Sequence, residues 1–129
     1  MHCLHKSYYY YLAPGTHSFE VFMKYKKVKT AIGYLSEGNT TEYMRDDPIG
    51  EVHVSMGGAG WIHPKEIAAT HKYKEGDRVK VQVDFDKESV RFYVNNEFAG
   101  QDEWQGGNKA YPAVSFDGGP CELEISMDD

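Results

Sequence analysis

The chain has 129 residues, a length typical of one domain and sufficient to bury about two thirds of the surface that its unfolded form exposes. With 14 Lys and Arg residues against 20 Asp and Glu residues, the formal net charge is −6, which argues against a nucleic-acid binder. No apolar run approaches the roughly 20 residues of a membrane span, and no secretory signal pattern occurs. We therefore expect a soluble, monomeric domain of the cytoplasm or nucleus, with neither nucleic acid nor membrane as partner.

The cysteine and histidine residues form no recognisable ligand set. Cys3 and Cys121 lie near opposite ends of the chain and outside any C-x-x-C pair, so they favour reduced thiols, although they could pair if the two termini meet. The 6 histidines are scattered, without ligand spacing to a third partner. We expect no metal, no cofactor and no catalytic residue.

Alternation of apolar and polar residues predicts short strands along the first half of the chain. The run Tyr8–Tyr11 is interpreted as an edge strand with two tyrosines on each face. Further strands are predicted at 18–25, with Phe19, Val21, Met23 and Tyr25 on one face, at 30–35 and at 51–56. A long polar loop separates the last two, and residues 63–73 carry a weak helical signal.

The stretch from Gly76 to Asn96 reads as a β-hairpin with one apolar face. Burial of its seven inward side chains contributes about 1.5 to 3 kcal/mol each before conformational entropy is subtracted, so packing determines this segment. The inward residues are Val79, Val81, Val83, Phe85, Val90, Phe92 and Val94, and the sequence DKES forms the turn.

Acidic residues cluster around this turn, at Asp84, Asp86 and Glu88. A calcium site would need about six to eight converging oxygens, and the spacing of a dedicated calcium loop is absent. A glycosidase would need two carboxylates across a substrate cleft, which no motif supports. Turn chemistry is the favoured interpretation.

The final strands are predicted at 111–116 and 121–127, with Cys121, Leu123, Ile125 and Met127 directed inward. The residues thus predict an antiparallel all-β domain.

Four blocks, in order, resemble the SPRY (B30.2) family. "GTHSFEV" at 15–21 is similar to its opening G-x-H-Y-(F/W)-E-V strand, and "AIGYL" to its I/V-G strand. Residues 73–96 resemble its G-D hairpin that ends in F-x-x-N-G, and "YPAVSF" followed by "CELEI" resembles its closing strands. Ser18 replaces the usual Tyr, and Asn96 replaces the usual Gly.

The resemblance implies an antiparallel β-sandwich of concanavalin-like architecture and a single SPRY-like domain over residues 1–129. Residues 1–14 would be an N-terminal extension or part of the first strand. It also implies a non-enzymatic module that binds a protein or peptide through loops at one end of the sandwich, as the adaptor or substrate-recognition part of a larger protein or complex. The implied binding residues are Ala13, Pro14, Asn39, Thr40, Thr41, Tyr43, Trp61, Phe116, Asp117 and Gly118.

The sequence contains two tryptophans, and it also leaves a second function open. Trp61, between glycine-rich residues, is either an exposed interface anchor or a cap on the core, whereas Trp104 is expected to pack inward. The alternative function is a lectin-like carbohydrate-binding sandwich, for which the sequence offers the outward Arg91 and Tyr93 on one strand, fewer groups than a lectin site needs.

Overall fold

The computed structural model describes residues 2–26, 30–37, 53–56, 75–117 and 121–128. These ranges contain ten strands and no helix long and apolar enough to span a membrane. The strands are β1 (His2–Lys6), β2 (Tyr11–Leu12), β3 (Thr16–Lys26), β4 (Thr30–Leu35), β5 (His53–Met56), β6 (Arg78–Asp84), β7 (Ser89–Val94), β8 (Glu97–Glu103), β9 (Lys109–Asp117) and β10 (Cys121–Asp128).

The strands form two antiparallel sheets. The first has the order β1-β9-β4-β5, with β2 also paired to β9, and the second has the order β10-β3-β6-β7-β8. Tyr34 joins the two sheets: its ring meets that of Phe19 edge-on at 5.1 Å between centroids, and its hydroxyl donates to the carbonyl of Val81 at 2.8 Å. Burial raises the pKa of Tyr34 well above its usual value, so it stays a neutral donor. The architecture is the predicted all-β sandwich.

The hairpin predicted from the sequence is confirmed as β6 and β7. Val79, Val81 and Val83 pair with Val94, Phe92 and Val90 in register, and all six are buried. The turn, however, comprises residues 85–88, one residue earlier than the sequence DKES, so Phe85 lies in the turn and is only partly buried. A second turn, Asn95–Asn96, connects β7 to β8.

Other predicted strands agree in position. Residues 30–35 form β4 as predicted, and residues 18–25 lie within β3, whose Phe19, Val21 and Met23 are buried. Tyr25, near the end of β3, is exposed rather than inward. Of the strand predicted at 51–56, residues 53–56 form β5, and the helical signal at 63–73 lies outside the described residues.

The tyrosine run is not an edge strand, contrary to the prediction. Only Tyr11 enters the core, as part of β2, while Tyr8, Tyr9 and Tyr10 are exposed outside any strand. The reason lies in β9, where the carbonyl of Pro112 accepts from the Ser7 N–H at 2.9 Å but proline has no N–H to return a bond. Pairing along this edge of β9 therefore stops after β1 and resumes at β2.

The prediction that the alternate apolar residues of β10 point into the core is also wrong in part. Ile125 and Met127 pair with the buried Val21 and Phe19 of β3 and so share the core-facing side of the sheet, yet both remain exposed. The cause is topological, since β10 is the edge strand of the second sheet. Leu123 is partly buried against the core, and the burial of Cys121 lies outside what the structure describes.

Candidate partner-binding surface

One end of the sandwich, here called the Pro14 end, is built by three connections: residues 13–15 between β2 and β3, residues 85–88 between β6 and β7, and residues 104–108 between β8 and β9. Backbone hydrogen bonds tie them to one another. The N–H of Ala13 donates to Asn108 O at 2.9 Å, that of Phe85 to Gly15 O at 2.9 Å, and that of Trp104 to Glu88 O at 2.8 Å. The three connections therefore form one continuous surface.

Trp104 is the first residue of the connection between β8 and β9, and its predicted inward packing is confirmed. Its side chain is buried, and its indole Nε1–H donates to the carbonyl of Gly107 at 2.7 Å. The ring lies directly against Gly106: a Cβ added at Gly106 would stand 2.3 Å from Cζ2 of Trp104. A glycine is required there by this close approach.

The imidazole of His17 contacts the Pro14 backbone and two neighbouring aromatic rings. Its ring stacks on Tyr11 at 4.9 Å between centroids and meets Phe85 edge-on at 5.8 Å. Its Nε2 lies 3.1 Å from the carbonyl oxygen of Pro14. Ring contacts on both sides thus hold the imidazole, and through it the Pro14 carbonyl, in one position.

A depression of about 400 Å³ opens between the three connections. Apolar groups of Ala13, Phe85 and Trp104 line it together with the polar side chains of Glu88 and Asn108. A shallow hollow that mixes aromatic and hydrogen-bonding groups can accept a side chain or a short peptide segment.

Two carboxylates at the β6–β7 turn, those of Asp84 and Asp86, are engaged in the loop structure. Asp84 Oδ1 accepts the N–H of Lys87 at 3.0 Å, and Asp86 Oδ1 lies 3.4 Å from the N–H of Gly15. Glu88 holds a left-handed backbone, with φ of 51°. Within the described ranges, no three His, Cys, Asp or Glu residues are grouped so as to hold a metal ion. These acidic residues shape the turn, as the sequence suggested.

A tyrosine cluster, here defined as Tyr10, Tyr111, Lys109 and Glu37, adjoins the Pro14 end. The ring centroids of Tyr10 and Tyr111 are 5.1 Å apart, and Lys109 Nζ lies 4.9 Å from the Tyr10 ring centroid. Glu37 Oε2 accepts from Lys109 Nζ at 2.9 Å and from the Tyr111 hydroxyl at 3.2 Å.

Two pKa shifts follow from this arrangement. The hydrogen bond that Lys109 donates to Glu37 raises the pKa of this lysine above its usual value. Burial, and then the bond to Glu37, raises the pKa of Tyr111. The lysine therefore remains charged and the phenol neutral at physiological pH, and both groups can donate hydrogen bonds.

The predicted binding residues do not all lie at one end. Ala13 and Pro14 belong to the Pro14 end, whereas Phe116 and Asp117 lie at the far end of β9, where they pair with β1. Seven residues of strand, about 23 Å, separate Lys109 from Phe116. The remaining predicted residues lie outside the described part of the chain: Asn39, Thr40, Thr41, Tyr43, Trp61 and Gly118.

Sequence reasoning missed the residues that share the surface with Pro14. The sequence predicts Phe85 as an inward strand residue and Glu88 as part of the hairpin turn, and it does not single out Asn108. The glycines beside Trp104 were the available signal, because a glycine next to a buried aromatic residue suggests close packing at a loop.

No family model matches the chain, and no curated protein is significantly similar to it in sequence. The fold, in contrast, is similar to that of the SPRY domain of human HERC1, with a TM-score of 0.76 and 14% sequence identity. The similarity covers 98% of this chain and 81% of that one. The chain therefore has a SPRY-like β-sandwich fold, as its sequence motifs predicted.

Proposed function

We propose that this domain is a non-enzymatic recognition module that binds a protein or a short peptide segment through its Pro14 end. The observation that carries the proposal is the depression of about 400 Å³ surrounded by three mutually hydrogen-bonded connections. A preformed surface of this kind loses little conformational entropy on binding, which favours recognition. The SPRY-like fold is consistent with such a role.

The chemistry of this end supports binding rather than catalysis. Asp84 contacts a backbone N–H within its own turn, so this carboxylate contributes to loop structure. His17 is packed between two aromatic rings, with Nε2 directed at a backbone carbonyl. Neither group is arranged as a general base beside a nucleophile.

The wider role that we propose is that of an adaptor within a larger protein or complex, as a monomeric domain in the cytoplasm or nucleus. Among the predicted binding residues, Ala13 and Pro14 are the first candidates, because they lie on the surface described above. Asn39, Thr40, Thr41 and Tyr43 are the next, since Glu37, the last described residue before them, contacts Lys109 at the same end. Phe116 and Asp117, at the far end of β9, would belong to a separate contact, and Trp61 and Gly118 stay candidates outside the described residues.

Carbohydrate binding is less well supported. The outer face of β7 carries Arg91 and Tyr93, but Arg91 Nε donates to the side chain of Gln101 at 2.9 Å. The Tyr93 ring packs edge-on against Phe98, 5.9 Å away. Both groups are thus engaged within the sheet, and a flat sugar-stacking platform is not formed.

The test begins with capture of partners from source cells on the purified domain, followed by titration of each identified partner by calorimetry. The variant Gln105→Arg/Asn108→Arg places two charged side chains at exposed positions around the depression. We expect its affinity to fall at least about tenfold, because bulky charges would block a docked segment. Glu97→Arg, at the opposite end of the sandwich, is the matched control and should bind as the wild type does.

Equal binding by the wild type and the double variant, with equal melting temperatures, would place the recognition surface elsewhere. Binding only to a glycan array would instead favour the lectin-like alternative.

A further inference from the structure

An apolar cleft of about 250 Å³ opens between the two sheets and shares no lining residue with the depression at the Pro14 end. Phe19, Ile125 and Met127 line it from the second sheet, and Pro112 and Val114 line it from β9 of the first. The cleft is an opening in the side of the sandwich core.

The strand β10 forms one wall of this cleft. It pairs with β3 on one side, and none of the other strands that the structure describes pairs with its opposite edge. Ile125 and Met127 stand opposite buried residues of β3, yet 53% and 40% of their surfaces are exposed. An edge strand with apolar residues on its core-facing side is a template for one more strand.

The outer face of the same strand is acidic. The side chains of Glu122 and Glu124 are 61% and 62% exposed, and they share one cation, Lys24, at 3.6 and 3.8 Å. Two carboxylates with one ammonium group leave an excess negative charge, in a chain whose net charge is already −6. A strand added beside β10 would place alternate side chains next to these carboxylates.

We propose that β10 accepts an extended segment of a partner protein in which apolar residues alternate with Lys or Arg. Its main chain hydrogen-bonds to the edge of β10. Its apolar side chains continue the core-facing row of Ile125 and Met127 and fill the cleft, and its basic side chains face Glu122 and Glu124. This surface is separate from the Pro14 end and does not depend on the function proposed there.

The charge pattern argues against a second copy of the chain as the occupant. If β10 paired with itself in antiparallel fashion about Leu123, Glu122 would stand opposite Glu124. If it paired about Glu124, that residue would stand opposite its own copy. Like charges directly opposite each other destabilise a strand pair, whereas a basic segment gains from the same positions.

The direct test uses peptides of 8 residues, the length of β10. One alternates Lys and Val, a second alternates Glu and Val, and a third has the composition of the first in two blocks. We expect the alternating Lys/Val peptide to bind in a fluorescence anisotropy titration, with amide shifts at Leu123–Met127 in NMR spectra. The block peptide should bind at least about tenfold more weakly, and the Glu/Val peptide should not bind.

Variants of the domain make the test specific. Ile125→Lys should weaken binding of the Lys/Val peptide at least about tenfold, because it replaces the exposed apolar contact with a like charge. Glu122→Lys/Glu124→Lys should reverse the preference, so that the Glu/Val peptide binds. Phe98→Lys is the matched control. Phe98 is 50% exposed on β8, the opposite edge strand, and its replacement should leave the affinity for the Lys/Val peptide unchanged.

Three results would overturn the proposal: equal binding of the Lys/Val and Glu/Val peptides, no effect of Ile125→Lys on peptide affinity, or a wild-type dimer that this variant converts to a monomer. The variant Gln105→Arg/Asn108→Arg separates the two surfaces, because it should retain the peptide even where it loses a captured partner.

Discussion

The Trp104 indole closes the Pro14 end because residue 106 has no side chain. An added Cβ would stand 2.3 Å from the ring, which is buried and cannot move away without disturbing the core. We expect Gly106→Ala to lower the free energy of unfolding by about 1 to 3 kcal/mol, the usual cost of overpacking. Urea denaturation measures this difference. Gln105→Ala, at the neighbouring exposed position, should change stability by less than about 0.5 kcal/mol, and an equal effect of both variants would contradict the close contact.

Glu37 accepts a hydrogen bond from Lys109 and so favours the protonated lysine. Its hydrogen bond raises the pKa of the lysine, so replacement by Gln should bring that pKa down towards its usual value. Because the folded pKa is the raised one, the pair stabilises the protein below the pKa of an ordinary lysine, about 10.4, as long as the Glu37 carboxylate is ionised, and this contribution is lost as the pH rises through the folded pKa.

An NMR titration of the lysine side chains in the wild type and in Glu37→Gln measures this shift. Glu20→Gln is the control, since Glu20 pairs with Arg78 at 3.2 Å and should leave Lys109 unchanged. An unaltered pKa of Lys109 in Glu37→Gln would show that the bond does not persist in solution.

The two adjacent asparagines of the β7–β8 turn, Asn95 and Asn96, have different structural roles. Both have positive φ, 50° for Asn95 and 67° for Asn96, as in a type I′ turn. Asn95 also bonds to the start of β6: its Oδ1 accepts from the Arg78 N–H at 3.0 Å, and its Nδ2 donates to Asp77 at 3.0 Å. No corresponding side-chain bond is described for Asn96.

Substitutions at the two positions should therefore have opposite effects. Asn95→Ala loses two hydrogen bonds and should destabilise the domain by about 1 to 2 kcal/mol. Asn96→Gly should stabilise it by up to about 1 kcal/mol, because glycine adopts positive φ without steric cost. Thermal unfolding of both variants checks the pair, and a loss of stability in Asn96→Gly would contradict the assigned turn.

The strands were predictable wherever one face is fully buried. The alternation of β6 and β7 identifies their inward valines because both faces have consistent chemistry along the whole strand. The prediction of an edge strand failed for Tyr8–Tyr11, since the interruption depends on Pro112, a residue on another strand. It failed in part for β10, because edge position is a property of the whole sheet and not of the local sequence.

The candidate surface was predictable only beside the opening motif at 15–21. Ala13 and Pro14 precede that motif and do lie on the Pro14 end. Phe116 and Asp117 lie at the other end of β9, and the motif order along the chain contains no information about which end of the sandwich a residue occupies.

For the molecule as a whole, a SPRY-like sandwich offers two distinct surfaces. The Pro14 end combines loops held by backbone hydrogen bonds with a mixed apolar and polar depression. The β10 edge combines an apolar cleft with exposed carboxylates. The two surfaces differ in chemistry, so a larger assembly could engage both at once.

Recognition through the Pro14 end can be tested by hydrogen–deuterium exchange of the domain, alone and with a captured partner. We expect slower exchange on binding in residues 13–15, 85–88 and 104–108, with no change at Asn95–Asn96 at the opposite end. Protection of Asn95–Asn96 with unchanged exchange in the three connections would contradict recognition through the Pro14 end.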